Sequence, residues 1–548
     1  MLPVIVSAVE AEAPATVLAE YNRYLARAGH GNPAYTQTAR SWLRHWPIPQ
    51  DWASLPLPER LAENASTRAF LLFLMVSGRL RPGFDYLLER KLSSIWRYQS
   101  DSVLAPHLAQ FTTTAMELGF SCRVSSAFGS QVIARLLIQT GRALTDLAAA
   151  DLDELGRACR ARQARTGKGC RHYLDAIRAC RQILFHLGIL ADPPEPAGKA
   201  IPLPQRMAAV SPALRPRFVA YLQRKSATCK VKTVSTLATR LAGFGAFLAG
   251  VDPDLTSLTQ LDRCRHIEPF LVSLTNATNS VTGAPITVAD QGRRVNAAAN
   301  FLAEIGEWGW PDAPTRRLFF RTDNPRLPRP LPRYLPVDSD RKLGQQLAAS
   351  PYRLAADALL LQRACGLRIG ELLDLEIDCV HDVAGQGSWL KVPLGKLDTE
   401  RMVPLDSETL TLLDRITDTR SAGRPIRHPR TGKPAQFLFT HHGQRLSQNA
   451  VRAELDRAAV LAGIGHVTSH QLRHTYATAL VNAGVSLQAL MALLGHSSAE
   501  MSLRYGRLFD ATAFRQVSWP RLSSRISAPA ARRRCAPVVP DARPPRAR

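Results

Sequence analysis

Ser469-His470-Gln471-Leu472-Arg473-His474-Thr475 is the stretch from which the rest of the chain is read. It opens an expected helix over 470–483, in which His470 and Arg473 stand at i,i+3 and share a face. Gly484 is a natural stop for that helix, and Ser486 can cap the next, expected over 486–494. Gly495 ends the second helix and presents His496. Tyr505 follows in Arg504-Tyr505-Gly506, and the 505 − 496 = 9 residues after His496 leave room for a turn and a short helix. Upstream, Gly366 stops a helix expected over 352–365, and Arg368 begins the next turn in Gly366-Leu367-Arg368-Ile369-Gly370-Glu371-Leu372.

Among their side chains, Arg368, Arg473, His470, His496 and Tyr505 make up two arginines, two histidines and a tyrosine, a set suited to attack on a phosphodiester by a tyrosine hydroxyl. A phosphodiester gains negative charge on its non-bridging oxygens as a nucleophile attacks. Cleavage therefore needs fixed cations, a nucleophile and an acid for the leaving oxygen. Arginine suits the clamp because its planar fork donates two bonds and stays charged. Taken singly each residue has a plainer explanation: an arginine on a basic protein is usually solvated, and a tyrosine is usually core. His470 and His474 at i,i+4 match a metal-ligand spacing, but no third ligand accompanies them, and no metal is expected.

The composition points the same way without deciding it. Of 548 residues, 70 are Lys or Arg and 45 are Asp or Glu, a formal charge of +25. Such a surplus attracts a polyanion, although an arginine-favouring genome would give the same figure. Nine cysteines, an odd number without CxxC spacing, argue against a zinc site or a disulfide framework and fit a reducing cytoplasm. No apolar run is expected to approach the ~20 residues of a membrane span. The N-terminus lacks the basic flank and length of a signal peptide.

Taken in order, residues 1–100 read as a helical extension. Residues 101–204 read as a helical domain ending in a proline-rich linker. Residues 205–324 hold a second helical domain. The two resemble each other: each has a helix before a Leu-Thr-x-Leu turn, at Leu144-Thr145-Asp146-Leu147 and Leu255-Thr256-Ser257-Leu258, and a long basic-edged helix to close. The Thr of each turn can cap the following helix. A linker over 325–337 interleaves prolines with Arg326, Arg329 and Arg333, as a strap along a phosphate backbone or as a solvated spacer. Residues 338–520 form the domain that carries the motifs. Within it 388–394 and 401–405 read as a β-hairpin, and helices are expected at about 338–346, 407–417 and 447–462. Residues 521–548 form a basic tail of low apolar content, predicted to be disordered.

Gly-Leu-Arg-Ile-Gly-Glu-Leu, His-Gln-Leu-Arg-His-Thr, Leu-Leu-Gly-His-Ser and Arg-Tyr, in this order and spacing, resemble the boxes of the tyrosine recombinases, the family of phage lambda integrase and the Xer recombinases. The resemblance covers about residues 338–518. It implies a mainly α fold with a small β-hairpin sheet, in which helical, SAM-like core-binding domains precede the catalytic domain. Residues 1–200 exceed the usual family length, as in larger transposon-borne members. By the resemblance, Arg368 and Arg473 clamp the scissile phosphate. Tyr505 attacks it to give a 3′-phosphotyrosine, His470 shares the nucleophile's proton, and His496 hydrogen-bonds a phosphate oxygen. Glu371 braces the site from behind. The family's hairpin lysine falls on Lys396, although Gly395-Lys396-Leu397 departs from the usual Gly-Lys-Gly. Lys391 is the one other lysine between Arg368 and Leu405.

Phosphotyrosine stores the energy of the broken bond, and arginine supplies the neutralising charge, so no cofactor is expected. The implied partner is duplex DNA, bound at paired sites by a homotetramer or by an assembly with related recombinases. Residues 509–520 would dock on a neighbouring copy or pack on their own domain. A type IB topoisomerase and a catalytically silent DNA-binding protein are the rival readings.

Overall fold

The helix Arg353–Cys365 sets the architecture of the C-terminal half. Most of its residues are buried, including Leu354, Ala356, Leu359, Leu361 and Cys365, and a helix buried over most of its surface belongs at the centre of a core. Helices Val337–Ala348, Ser407–Thr419, Gln448–Leu461 and Ser469–Asn482 pack around it. Asp357 in its middle is fully buried and takes Arg353 at 2.5 Å and Arg415 at 2.9 Å. The computed structural model describes all residues except 1–12, 28, 30–31, 91–101, 195–200, 280–281, 328–332, 394–399, 497, 499–500 and 503–548.

Among the described residues the fold is mainly helical, with small antiparallel sheets. The largest is three-stranded: β1 (Val380–Val383), β2 (Gly387–Val392) and β3 (Arg401–Pro404), in the order β1-β2-β3. The expected hairpin is β2 and β3, paired with Leu390 opposite Val403 and Val392 opposite Arg401. The sequence reading missed β1, since Val380-His381-Asp382-Val383 lacks a run of buried apolar residues. Two further hairpins, 426–427 with 434–435 and 440–441 with 444–445, were also not foreseen.

Apolar side chains between Val17 and Leu190 form one cluster, so 1–100 and 101–204, read apart in the sequence, share a core. Tyr21 lies 4.9 Å from Phe70 and 5.2 Å from Phe73 by ring centroids, and Trp52 meets Tyr86 edge-on at 5.3 Å. A second cluster runs from Met207 to Phe319, built on helices Val231–Val251 and Val288–Glu307.

Two expectations are corrected here. Helix Val231–Val251 is long and apolar enough to cross a membrane, although no run of that length was expected. Lys232 and Arg240 interrupt it in the sequence, and its Ala238, Leu241, Phe244 and Leu248 are spent on the second core. The Leu-Thr-x-Leu turns form 3-10 helices at Leu144–Asp146 and Leu258–Gln260, so the second turn is Leu258-Thr259-Gln260-Leu261, three residues later than read. Thr does not cap in either. In the first unit no side chain caps, and in the second Ser257 does, with Gln260 reaching back to the Ser257 amide at 3.0 Å.

The first unit rests on the C-terminal half. Gln182 donates to the Gly443 carbonyl at 2.8 Å, and Arg424 Nη1 donates to Phe185 O at 2.8 Å and Leu190 O at 3.2 Å. His442, with φ of 54°, stacks on Phe120 at 3.9 Å.

Candidate functional site

Three stretches far apart in the chain meet at one carboxylate. Helix Arg353–Cys365 ends at Gly366, whose φ of 61° closes the turn, and a Cβ there would strike the ring of Tyr476. The chain then reverses into the short helix Ile369–Leu373, with Arg368 as its N-cap. Glu371, 2% exposed, accepts from the Arg368 backbone N–H at 2.9 Å and from Arg368 Nη1 at 2.6 Å. From β3, Arg401 Nη2 donates to the same carboxylate at 2.8 Å. From the helix Ser469–Asn482, Arg473 Nη1 lies 3.9 Å from it. Burial alone would raise the Glu371 pKa, but the bonds from Arg401 and Arg368 outweigh that and hold it at about 2.

The same three guanidiniums seize the end of helix Leu487–Leu494. Arg401 Nε donates to Leu493 O at 2.7 Å, Arg473 Nη2 to Leu494 O, and Arg368 Nη2 to Gly495 O at 3.4 Å. A helix C-terminus carries partial negative charge and orphan carbonyls, so three cations there are favourable. Gly495, at φ 60°, ends the helix in the left-handed conformation and turns His496 toward the arginines. Arg473 also donates to Gly366 O at 2.7 Å and is 1% exposed, whereas the Arg368 side chain is 22% exposed.

Helix Ser469–Asn482 positions its residues through a capping box. Thr468 accepts from the Gln471 amide, and Gln471 accepts from the Thr468 amide at 2.8 Å. His470 then sits in the first turn, edge-on to His474 with ring centroids 4.4 Å apart. It keeps an exposed edge, yet desolvation and then the charges of Arg473 and Arg368 lower its pKa. His496 is lowered further, to about 4, by desolvation and then by Arg473, Arg368 and Arg401. Its Nδ1 bonds the Ser502 hydroxyl at 2.7 Å. Both imidazoles are therefore neutral near pH 7 in the absence of an anion.

The structure thus brings together Arg368, Glu371, His470, Arg473 and His496. Lys396 and Tyr505 lie outside the described residues, as do Arg329, the tail and 509–520. Lys391 is on β2, 3.9 Å from Glu400. Arg326 and Arg333 are exposed on the strap, and the strap's end is tied down where the Leu335 amide donates to Thr475 Oγ1 at 2.9 Å. Arg401 escaped the sequence reading. Its signal was alternation: on β3, Arg401 and Val403 face inward, so a buried arginine stands where a core residue belongs. Among the described residues no group of three or more His, Cys, Asp or Glu side chains is arranged to hold a metal.

The model of the Phage integrase family matches residues 341–511. Transposase B from transposon Tn554 of Staphylococcus aureus strain Mu50 is 29% identical over 287 residues, which are 51% of this chain and 43% of the relative. The chain therefore spans less than half the length of that transposase. Tyrosine recombinase XerC of Roseiflexus sp. strain RS-1 is 33% identical over 237 residues, 42% of this chain and 72% of the relative. The crystal structure of XerH site-specific recombinase bound to palindromic difH substrate in a post-cleavage complex aligns at a TM-score of 0.41 and 18% identity, covering 57% of this chain and 93% of that one.

Proposed function

Since the chain belongs to the tyrosine recombinases of the phage integrase family, we propose that it cuts and rejoins duplex DNA at specific sites through a 3′-phosphotyrosyl link to Tyr505. One observation carries this reading. Three guanidiniums surround a single carboxylate, so 3 − 1 = 2 positive charges are left over, held beside two neutral histidines. A doubly basic, preorganised site suits a phosphodiester whose negative charge grows as it is attacked.

In this mechanism Arg368 takes the scissile phosphate from the half-open face, and Arg473 supplies charge from the buried side. His470, neutral, accepts the Tyr505 proton as the hydroxyl attacks phosphorus. His496 donates to a non-bridging oxygen, and the approaching anion raises its affinity for a proton. Lys396 protonates the departing 5′ oxygen, which leaves poorly as an alkoxide. The phosphotyrosine is then attacked by a 5′ hydroxyl of the same or a partner strand, which restores the tyrosine. The cationic units of residues 203–319 and the Arg326–Arg333 strap lie along the duplex, and four protomers join two sites. The reaction belongs in the cytoplasm, on chromosomal or mobile-element DNA. The transposase and XerC relatives support integration, excision or transposition over the relaxation chemistry of a topoisomerase.

The test is Tyr505→Phe on a nicked suicide substrate. Specific binding is expected to persist while the covalent adduct vanishes. An adduct formed by the Phe variant would assign attack to another residue, and wild type that binds without ever forming an adduct would leave a DNA-binding protein only.

A further inference from the structure

Among the described residues the N-terminal unit is bonded to the C-terminal half over the 420–445 hairpins, and those hairpins lead to the arginine cluster. On one side stand Gln182, His186 and Phe120, and on the other Arg424, His442 and Gly443. The Arg424 backbone N–H donates to His186 Nδ1 at 2.9 Å, which leaves the proton on Nε2, 2.8 Å from the Gly443 carbonyl. The Arg424 guanidinium lies over the Phe185 ring at 4.6 Å while it holds Phe185 O and Leu190 O. Gly443 has φ of 68°, and a Cβ there would run into the His186 ring. The surfaces are fitted to each other at the level of single atoms around the 440–445 hairpin.

The reverse side of that hairpin is bonded to the segment that carries Arg368 and Glu371. Two residues after Gly443, Arg445 donates to Leu373 O at 2.9 Å and to Asp374 at 2.6 Å. Arg430, in the loop of the neighbouring hairpin, adds a second bond to Asp374 at 2.7 Å. The Leu438 amide donates to Leu375 O at 2.7 Å, and the Ile377 amide to Gln436 O at 3.0 Å. Leu373 and Asp374 end the five-residue helix that starts at Ile369. A helix so short has little stability of its own, so its outer contacts fix where Glu371 stands.

We propose that the N-terminal unit positions the catalytic cluster by clamping the 420–445 hairpins against the end of helix Ile369–Leu373, with Arg424 and His186 as the positioning residues. The proposal rests on the recombinase reading only for what the cluster does, not for the coupling. Undocking the unit loosens Glu371 and, through it, the hold of Arg368 and Arg401 on the Leu493–Gly495 carbonyls. DNA affinity, which depends on basic surface elsewhere, stays as it was. Residues 13–192 then govern the chemical step from a surface on the 420–445 hairpins, outside the arginine cluster itself.

The experiment uses the full chain as wild type, Arg424→Ala and Gly443→Trp, the last to pry the surfaces apart. Arg424→Lys, whose ammonium can still reach the two carbonyls, is the conservative control. Amide exchange is followed by peptide without DNA, with Val231–Val251 as the check on folding. The expected result is faster exchange in Arg424→Ala and Gly443→Trp both at 182–192 and at 368–373, with Arg424→Lys near wild type. Faster exchange confined to 182–192 and 420–445 overturns the proposal, since the contact would then be structural only. Unchanged exchange everywhere in Gly443→Trp overturns it too, because the surfaces would not be in contact. In a suicide-substrate assay at saturating enzyme the loosened variants are expected to cleave roughly 2- to 30-fold more slowly at unchanged DNA affinity. If wild type forms no adduct, the recombinase reading fails while the exchange results still decide the coupling.

Discussion

Replacing Glu371 by Gln would remove one negative charge from beneath three arginines while keeping the shape of the side chain. In the wild type that carboxylate is 2% exposed and takes Arg368 at 2.6 Å and Arg401 at 2.8 Å. The variant offers one carbonyl oxygen to two guanidiniums and turns an NH2 group toward the other. Its cost can be reached in two ways. Breaking a buried ion pair costs about 3–5 kcal/mol. Independently, the fall of the Glu371 pKa from 4.5 to about 2 corresponds to roughly 3 kcal/mol. At that size the protection of amides in helices Arg353–Cys365 and Ser469–Asn482 should fall roughly 150-fold, as 1.4 kcal/mol is a factor of ten. Peptide-level hydrogen exchange measures this without assuming that the whole chain unfolds in one step. Acid gives a second arm. The folded pKa is depressed, so the stabilisation is present above 4.5 and is lost as pH falls from 4.5 toward about 2. Wild type should show that loss and the variant should not. A drop in protection below tenfold, together with the same acid sensitivity in both proteins, would refute the claim that an ionised Glu371 holds the cluster together.

Other expectations follow from the same geometry. Arg401→Ala removes the donor to Leu493 O and one of the bonds to Glu371, and single-turnover cleavage should slow to a degree comparable with the 10²–10³ of a lost oxyanion donor; near wild-type cleavage would make Arg401 dispensable. A substrate with a 5′-bridging sulfur leaves without a proton, so it should rescue Lys396→Ala but not Arg368→Ala. Rescue of Lys391→Ala, with Lys396→Ala like wild type, would move the acid to β2. Cleavage should survive EDTA, and recovery only on adding zinc or Mg²⁺ would revive a His470/His474 ligand role. His496 takes a proton at about 4 when folded and at 6.5 in the unfolded chain, so the unfolded state binds more protons between those values and stability should fall on acidification through that range. Histidine NMR in which the His496 ring titrates near 6.5 would contradict the burial and arginine charge assigned to it.

The helices of the catalytic half were legible because their signals are local. Gly366 and Gly495 stop helices at left-handed turns, Ser486 caps one, and the apolar spacing of 353–365 and 407–419 has the helical period. Arg368, Glu371, His470, Arg473 and His496 were found because they sit in compact boxes. Arg401 was not, since its meaning depends on facing Glu371, 30 residues away, and nothing in Arg401-Met402-Val403-Pro404 announces that partner. Strand β1 was missed because its burial is slight, and it is held by pairing to β2. The three-residue error in the Leu-Thr-x-Leu turn arose because residues 255–261 contain that pattern twice, and only packing chooses between the copies. The seat of the N-terminal unit on 420–445 had no sequence signal, being made largely of backbone carbonyls, two glycines and a stacked ring.

The grip of three arginines on Leu493, Leu494 and Gly495 has a consequence for how the molecule is made. During translation Arg368 leaves the ribosome long before Gly495, its acceptor 127 positions along the chain, and Arg401 and Arg473 likewise wait for Leu493 and Leu494. Until those carbonyls arrive, the arginines have Glu371 to hold them but lack the second set of acceptors that completes their arrangement. Fragments that terminate short of residue 493 therefore lack the finished anion seat and, on the recombinase reading, cannot nick DNA.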